Sequence, residues 1–115
     1  MAITTIQPLR LEEPIQLSTS ATSVYTCPAN SYVKISAATC SNVTGTAATI
    51  TFNLVPSGGA VSTSNQVITV QNVAATGSYV MVELLNQILN PGDSIFGLSS
   101  TASAINFTLS GMLMS

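Results

Sequence analysis

Any chemistry in this chain has to come from a short list of side chains. The charged residues are Arg10, Glu12, Glu13, Lys34, Glu83 and Asp93; the thiols are Cys27 and Cys40; the phenols are Tyr25, Tyr32 and Tyr79. Histidine is absent, which removes the commonest general base and the commonest transition-metal ligand together. A nucleophilic cysteine needs a cation to hold it as thiolate, and only Lys34 is near either thiol in sequence. Glu12 and Glu13 are adjacent, so an extended backbone points them apart. Glu83 and Asp93 are the only carboxylates of the body, and a glycosidase pair would want a cleft with sugar-stacking aromatics. Tryptophan is absent, and the three tyrosines read as strand-edge packing with solvated hydroxyls. The many serines have no strand-turn-helix elbow and no base to activate them. The reading is a protein that is not an enzyme and that carries no cofactor and no metal.

Other short patterns reduce to local structure. Gly58-Gly59 is a loop device, with no phosphate-cradling run leading into a helix. Asp93, after Pro91-Gly92, reads as a turn carboxylate that caps backbone donors, because a calcium site would need companions. Asn42-Val43-Thr44 and Asn106-Phe107-Thr108 match the glycosylation pattern by chance in a chain rich in Asn and Thr.

These residues must be carried by one domain, since 115 residues leave room for a single core. Composition is where the chain departs from the ordinary. Charged residues make up 5% of it, against about 25% in an average soluble domain. Solvated faces must therefore be built from Ser, Thr, Asn and Gln. A surface with little charge has weak protection against self-association, and the cores of interfaces are depleted in charge. Composition thus predicts a surface covered by protein partners. Nucleic acid is excluded as the main partner, because two basic residues neutralise almost no phosphate. No run approaches the ~20 apolar residues of a membrane-spanning helix. Pro8, Arg10, Glu12 and Glu13 stand where a secretory signal would be apolar, so Cys27 and Cys40 are expected as buried thiols in a reducing compartment, with a bridge between them left open.

Residues 1–14 read as an extended N-terminal arm. Pro8 and Pro14 favour extended backbone, and Ile3, Ile6, Leu9 and Leu11 need apolar cover that a neighbouring subunit would supply. From residue 15 to 115 the signal is a single β domain, with period-two alternation broken by turn residues. Ala48, Ile50, Phe52 and Leu54 oppose Thr49, Thr51 and Asn53; Ile105, Phe107 and Leu109 oppose Asn106, Thr108 and Ser110. Pro28-Ala29-Asn30-Ser31, Pro56-Ser57-Gly58-Gly59 and Asn90-Pro91-Gly92-Asp93 punctuate the runs. About eight short strands result, and Leu84, Leu85, Ile88 and Leu89 fall at the spacing of a single helical turn between two of them. The expected fold is all-β: an antiparallel two-sheet sandwich, jelly-roll-like, with an immunoglobulin-like sandwich or open barrel giving much the same pattern.

Two segments are apolar on both sides. Tyr79 and Met81 alternate with Val80 and Val82, and Met112 and Met114 lie opposite Ile105, Phe107, Leu109 and Leu113. Methionine adapts to contact surfaces, so Met81, Met112 and Met114 join Ile3, Ile6, Leu9 and Leu11 as candidate interface residues.

Three stretches carry a family resemblance: residues 17–30 (a strand, a polar turn, then a strand ending at Pro28-Ala29-Asn30), Phe52-Asn53-Leu54-Val55-Pro56-Ser57-Gly58-Gly59, and Leu89-Asn90-Pro91-Gly92-Asp93-Ser94-Ile95. Together they resemble the small virion accessory proteins of tailed bacteriophages. That resemblance implies a capsid cement or decoration protein, made in the host cytoplasm and placed on the phage head. Its implied partners are the major capsid protein and copies of itself, as a trimer or dimer. A tail, fibre or receptor-binding module is the alternative it implies. No individual functional residue is carried over.

Overall fold

The alternating stretches form antiparallel strands in the computed structural model, which describes residues 5–115 apart from the side chains of residues 12–14. The strands are β1 (Ile6–Gln16), β2 (Thr22–Thr26), β3 (Tyr32–Asn42), β4 (Ala48–Val55), β5 (Gln66–Val73), β6 (Ser78–Val80), β7 (Ile88–Leu89), β8 (Ser94–Ser99) and β9 (Ile105–Met114), with a 3-10 turn at Thr63–Asn65. They divide into two sheets. The first runs β1-β9-β3-β6, with β7 also paired to β3; the second runs β2-β8-β4-β5.

The pairing is nested. β4 pairs with β5, β3 with β6 and β7, β2 with β8, and β1 with β9. The chain is thus one long hairpin whose tip is the loop after Val55, and successive pairs alternate between the sheets as it rolls up. Pairing of β3 with β9 and of β4 with β8 then closes each sheet. This winding is a jelly roll.

Side-chain period fixes which face turns inward. Val33, Ile35, Cys40, Phe107 and Leu109 from the first sheet meet Ile50, Phe52, Ile68 and Ile95 from the second, all 3% exposed or less. The rings of Phe52 and Phe107 join the sheets, with centroids 5.1 Å apart and a tilt of 43°. Gly97 makes room for this contact. It lies opposite Phe52 on β8, and a Cβ there would come within 2.5 Å of the ring. A second close approach is at Gly111, where a Cβ would strike the Lys34 carbonyl beside the bulge of β3.

The structure departs from expectation at two of the places where apolar residues looked surplus. The extended segment expected over 1–14 is, from Ile6, part of β1, so the boundary after residue 14 falls inside a strand. The reason is the hydrogen-bonding edge that β9 offers. Thr5 and Ser115 exchange both backbone bonds, at 2.7 and 2.9 Å, and the ladder continues to Gln16 opposite Asn106. Leu11 is 9% exposed and Leu9 packs on the core, so both cover their own domain. The strand expected over 79–84 stops at Val80. Beyond it, Leu84, Leu85 and Gln87 donate to Met81, Val82 and Leu84 in consecutive i to i−3 turns, the helical spacing seen in sequence. Met81 is turned inward and fully buried, which corrects its place among the candidate interface residues.

Candidate interaction surface

The feature best suited to recognition is the outer face of the β1-β9-β3 sheet, at the end where Thr5 pairs with Ser115. Its composition follows from register, because directly opposed residues share a face. Val33 and Ile35 are fully buried, so Tyr32 and Lys34 point outward. Ile6 lies opposite Met114, and Met114 opposite Tyr32. One step along, Pro8 lies opposite Met112, Met112 opposite Lys34, and Lys34 opposite Ile88 of β7. Two rows of side chains therefore cross the sheet, with the Lys34 stem set among apolar groups. Ile6 is 62% and Ile88 47% exposed, while Met112 and Met114 are half-buried by their neighbours. In the next row Arg10 lies opposite Ser110. Scattered apolar residues are normal on a surface, but a contiguous apolar patch marks an interaction site.

The edge beside this patch is blunted. Thr5 exchanges both bonds with Ser115, so Gln7 and Leu9 also bond towards β9, whereas Ile6, Pro8 and Arg10 present their backbone to the open edge. Pro8 has no N–H to offer there, and proline at such a position interrupts strand addition. The face is open and the edge is not.

The residues that looked reactive serve structure. The Tyr79 hydroxyl donates to the Glu83 carboxylate at 2.8 Å. Burial, then the bond to Glu83 and its charge, push that phenol above its ordinary value. The Asp93 carboxylate accepts from the backbone N–H of Asn90 and of Ser57, each at 3.0 Å, tying two loops together. Cys27 and Cys40 are both free and buried. Cys27 donates to the Ser31 carbonyl, and Cys40 lies 3.4 Å from the Met81 sulfur. Burial pushes the Cys40 thiol up to about 12. Asn42 is 2% exposed and fully engaged, so the first glycosylation pattern is inaccessible in the fold. Among the described residues no three of His, Cys, Asp and Glu come together as metal ligands, and no helix is long and apolar enough to cross a membrane.

No protein-family model matches the sequence, and no curated protein sequence matches it. A solved structure does: the chain is similar to one in the structure of infectious bursal disease virus, Gx strain. The TM-score is 0.52 at 11% identity, over 96% of this chain and 32% of that one. The likeness is one of fold. It does not single out the tailed phages, whose virion accessory proteins the sequence resembles.

Of the residues singled out in sequence, the fold brings Ile6, Met112 and Met114 together on the patch. Leu9, Leu11 and Met81 belong to the core, and Ile3 lies outside the described residues. Pro8, Tyr32, Lys34 and Ile88 complete the surface and were missed. Alternation against Val33 and Leu89 marks Tyr32, Lys34 and Ile88 as outward-facing, but only the pairing of β3 with β7 and β9 makes them neighbours of the methionines.

Proposed function

We propose that this protein is a structural component of a virion, of the cement or decoration type, which stabilises a viral shell by bridging major capsid subunits. The observation that carries this reading is the jelly-roll winding of the chain, matched over 96% of its length by a chain of a virus structure. Two further features support it. The surface is almost free of charge, as the cores of interfaces are, and the contiguous apolar face beside Thr5 and Ser115 suits docking to another protein. Mechanically, a protein that binds only the assembled shell stabilises it by mass action. Self-association into a dimer or trimer would place several such faces on adjacent subunits and raise their effective concentration.

The test is to mix the purified chain with shells assembled without it. Electron microscopy of labelled chain should show regular occupancy, and the shells should withstand higher temperature with the chain than without. A strict monomer that ignores such shells overturns the proposal.

A further inference from the structure

We infer that the start of β1 is traded between copies of this chain: the segment Thr5–Leu9 leaves the β9 edge of its own molecule and fills the same edge on a second copy, which returns its own segment in a reciprocal pair. Such trading would supply the self-association invoked above, and it requires no shell.

The sheet edges carry it. Two sheets have four edges, and three of them are irregular among the described residues. β2 shifts register between Ser23 and Tyr25. β5 shifts twice against β4, and its exposed Val70 is held at φ 46°, a left-handed conformation costly for a β-branched residue. Beyond β3 lie the three residues of β6 and the two of β7, with tight turns between them. Irregularities of this kind discourage strand addition. The β9 edge is different, because its register with β1 runs unbroken from Ser110 to Met114. The segment that covers it pairs with β9 alone and is exposed at every residue except half-buried Leu9. Behind it the register shifts between Arg10 and Glu12 and again between Glu12 and Ile15, while Leu11 stays anchored in the core. A short stretch with little buried surface, ahead of broken register, opens at low cost.

The occupant follows from the fit. One sequence is seen to match the β9 edge, and every copy carries it. Trading remakes the backbone bonds of Thr5 with Ser115 and the ladder from Ile6 opposite Met114 to Leu9 opposite Gly111, so two copies lose no contact by it. Within one molecule the tether favours the closed form, and copies held side by side compete with that tether. Pro8 has no donor to offer on the outer side, so a traded segment pairs on one side and the assembly closes at two.

The experiment mixes two chains under oxidising conditions, one with Gln7→Cys and the other with Leu113→Cys. Gln7 lies opposite Leu113 in a hydrogen-bonded pair, and the ~5.5 Å between Cα atoms of such a pair is a span a disulfide bridges. Neither chain can form this bridge alone. Both positions share the face of Leu9, away from Ile6, Met112 and Met114, so stacking of outer faces does not bring them together. The expected product is a disulfide from residue 7 of one chain to residue 113 of the other, identified by mass spectrometry, in a fraction that rises with protein concentration. In the native chain, hydrogen exchange read by NMR should be at least about tenfold faster at the amides of Gln7, Leu9, Gly111 and Leu113 than along β4. Absence of the mixed bridge overturns the trading of segments. Protection at those four amides equal to that of β4 overturns the opening itself. Chains that bridge but never bind a shell leave this inference standing and end the virion reading instead.

Discussion

At the scale of single residues, a few buried polar side chains hold the molecule in register. Asn42 is the clearest. Its amide donates to the Thr46 carbonyl at 2.8 Å and the Val73 carbonyl at 3.2 Å, and its carbonyl accepts from the Thr44 N–H and hydroxyl at 2.9 and 2.7 Å. One side chain thus fixes the turn from β3 to β4 and fastens it to the end of β5. Truncation leaves the Val73 carbonyl without its donor and the Thr44 N–H without its acceptor, while the Thr46 carbonyl keeps the Thr44 hydroxyl at 3.0 Å, so Asn42→Ala should destabilise the fold by about 1–3 kcal/mol. Urea unfolding checks this as a lower midpoint with an unchanged slope. A midpoint within error of the native chain would show that water replaces the amide. The sequence presents Asn42 only as the first residue of a chance glycosylation pattern. Thr46 lies in the adjoining turn, but Val73 becomes a neighbour only when β5 folds back.

At the scale of elements, β1 shows how the same residues suit two different structures. An extended run with two prolines and surplus apolar groups describes a free arm and an edge strand equally well. What decides between them is the unfilled edge of β9, which takes up the backbone of β1 through Gln16 and gives Leu9 and Leu11 a core to cover. Pro8 is tolerated because its missing donor faces outward, and it there protects the edge. Replacement by Thr restores an N–H to the open edge while keeping β propensity. Pro8→Thr should therefore form concentration-dependent assemblies larger than those of the native chain, seen by sedimentation velocity. Identical sedimentation of the two proteins would show that another feature protects the edge. The segment after Val80 teaches the same lesson: its helical spacing is legible, but the inward turn of Met81 follows from packing on Cys40 across the sheet.

At the scale of the whole molecule, the chain buries about as much surface as a monomer of its mass. Its accessible surface is 5722 Å², close to the ~5,900 Å² expected of a monomer of this mass. The core therefore needs no partner, and the low charge speaks to the surface. Global stability should depend on pH in the alkaline range. Burial raises the Cys40 thiol from 9.0 to about 12, so below 9.0 both folded and unfolded chains keep the proton and the full stability is present. Between 9.0 and about 12 the unfolded chain releases a proton that the folded chain retains, and stability is lost as pH rises. Tyr79, raised by burial and then by Glu83, acts in the same direction. Urea midpoints should hold steady up to about 9.0 and fall above it, with a shallower fall in Cys40→Ala. A midpoint that does not fall, or an equal fall in that variant, would place the pH dependence elsewhere. By itself the sequence determined the all-β class, most strand positions and the poverty of catalytic groups, because period-two alternation and composition are local properties. Tertiary structure alone decided the nested jelly-roll order, the capture of β1, the burial of Met81 and the meeting of Lys34 with Met112 and Ile88. Each of these depends on which strands lie side by side, and the alternation of a strand specifies its two faces but not its neighbours.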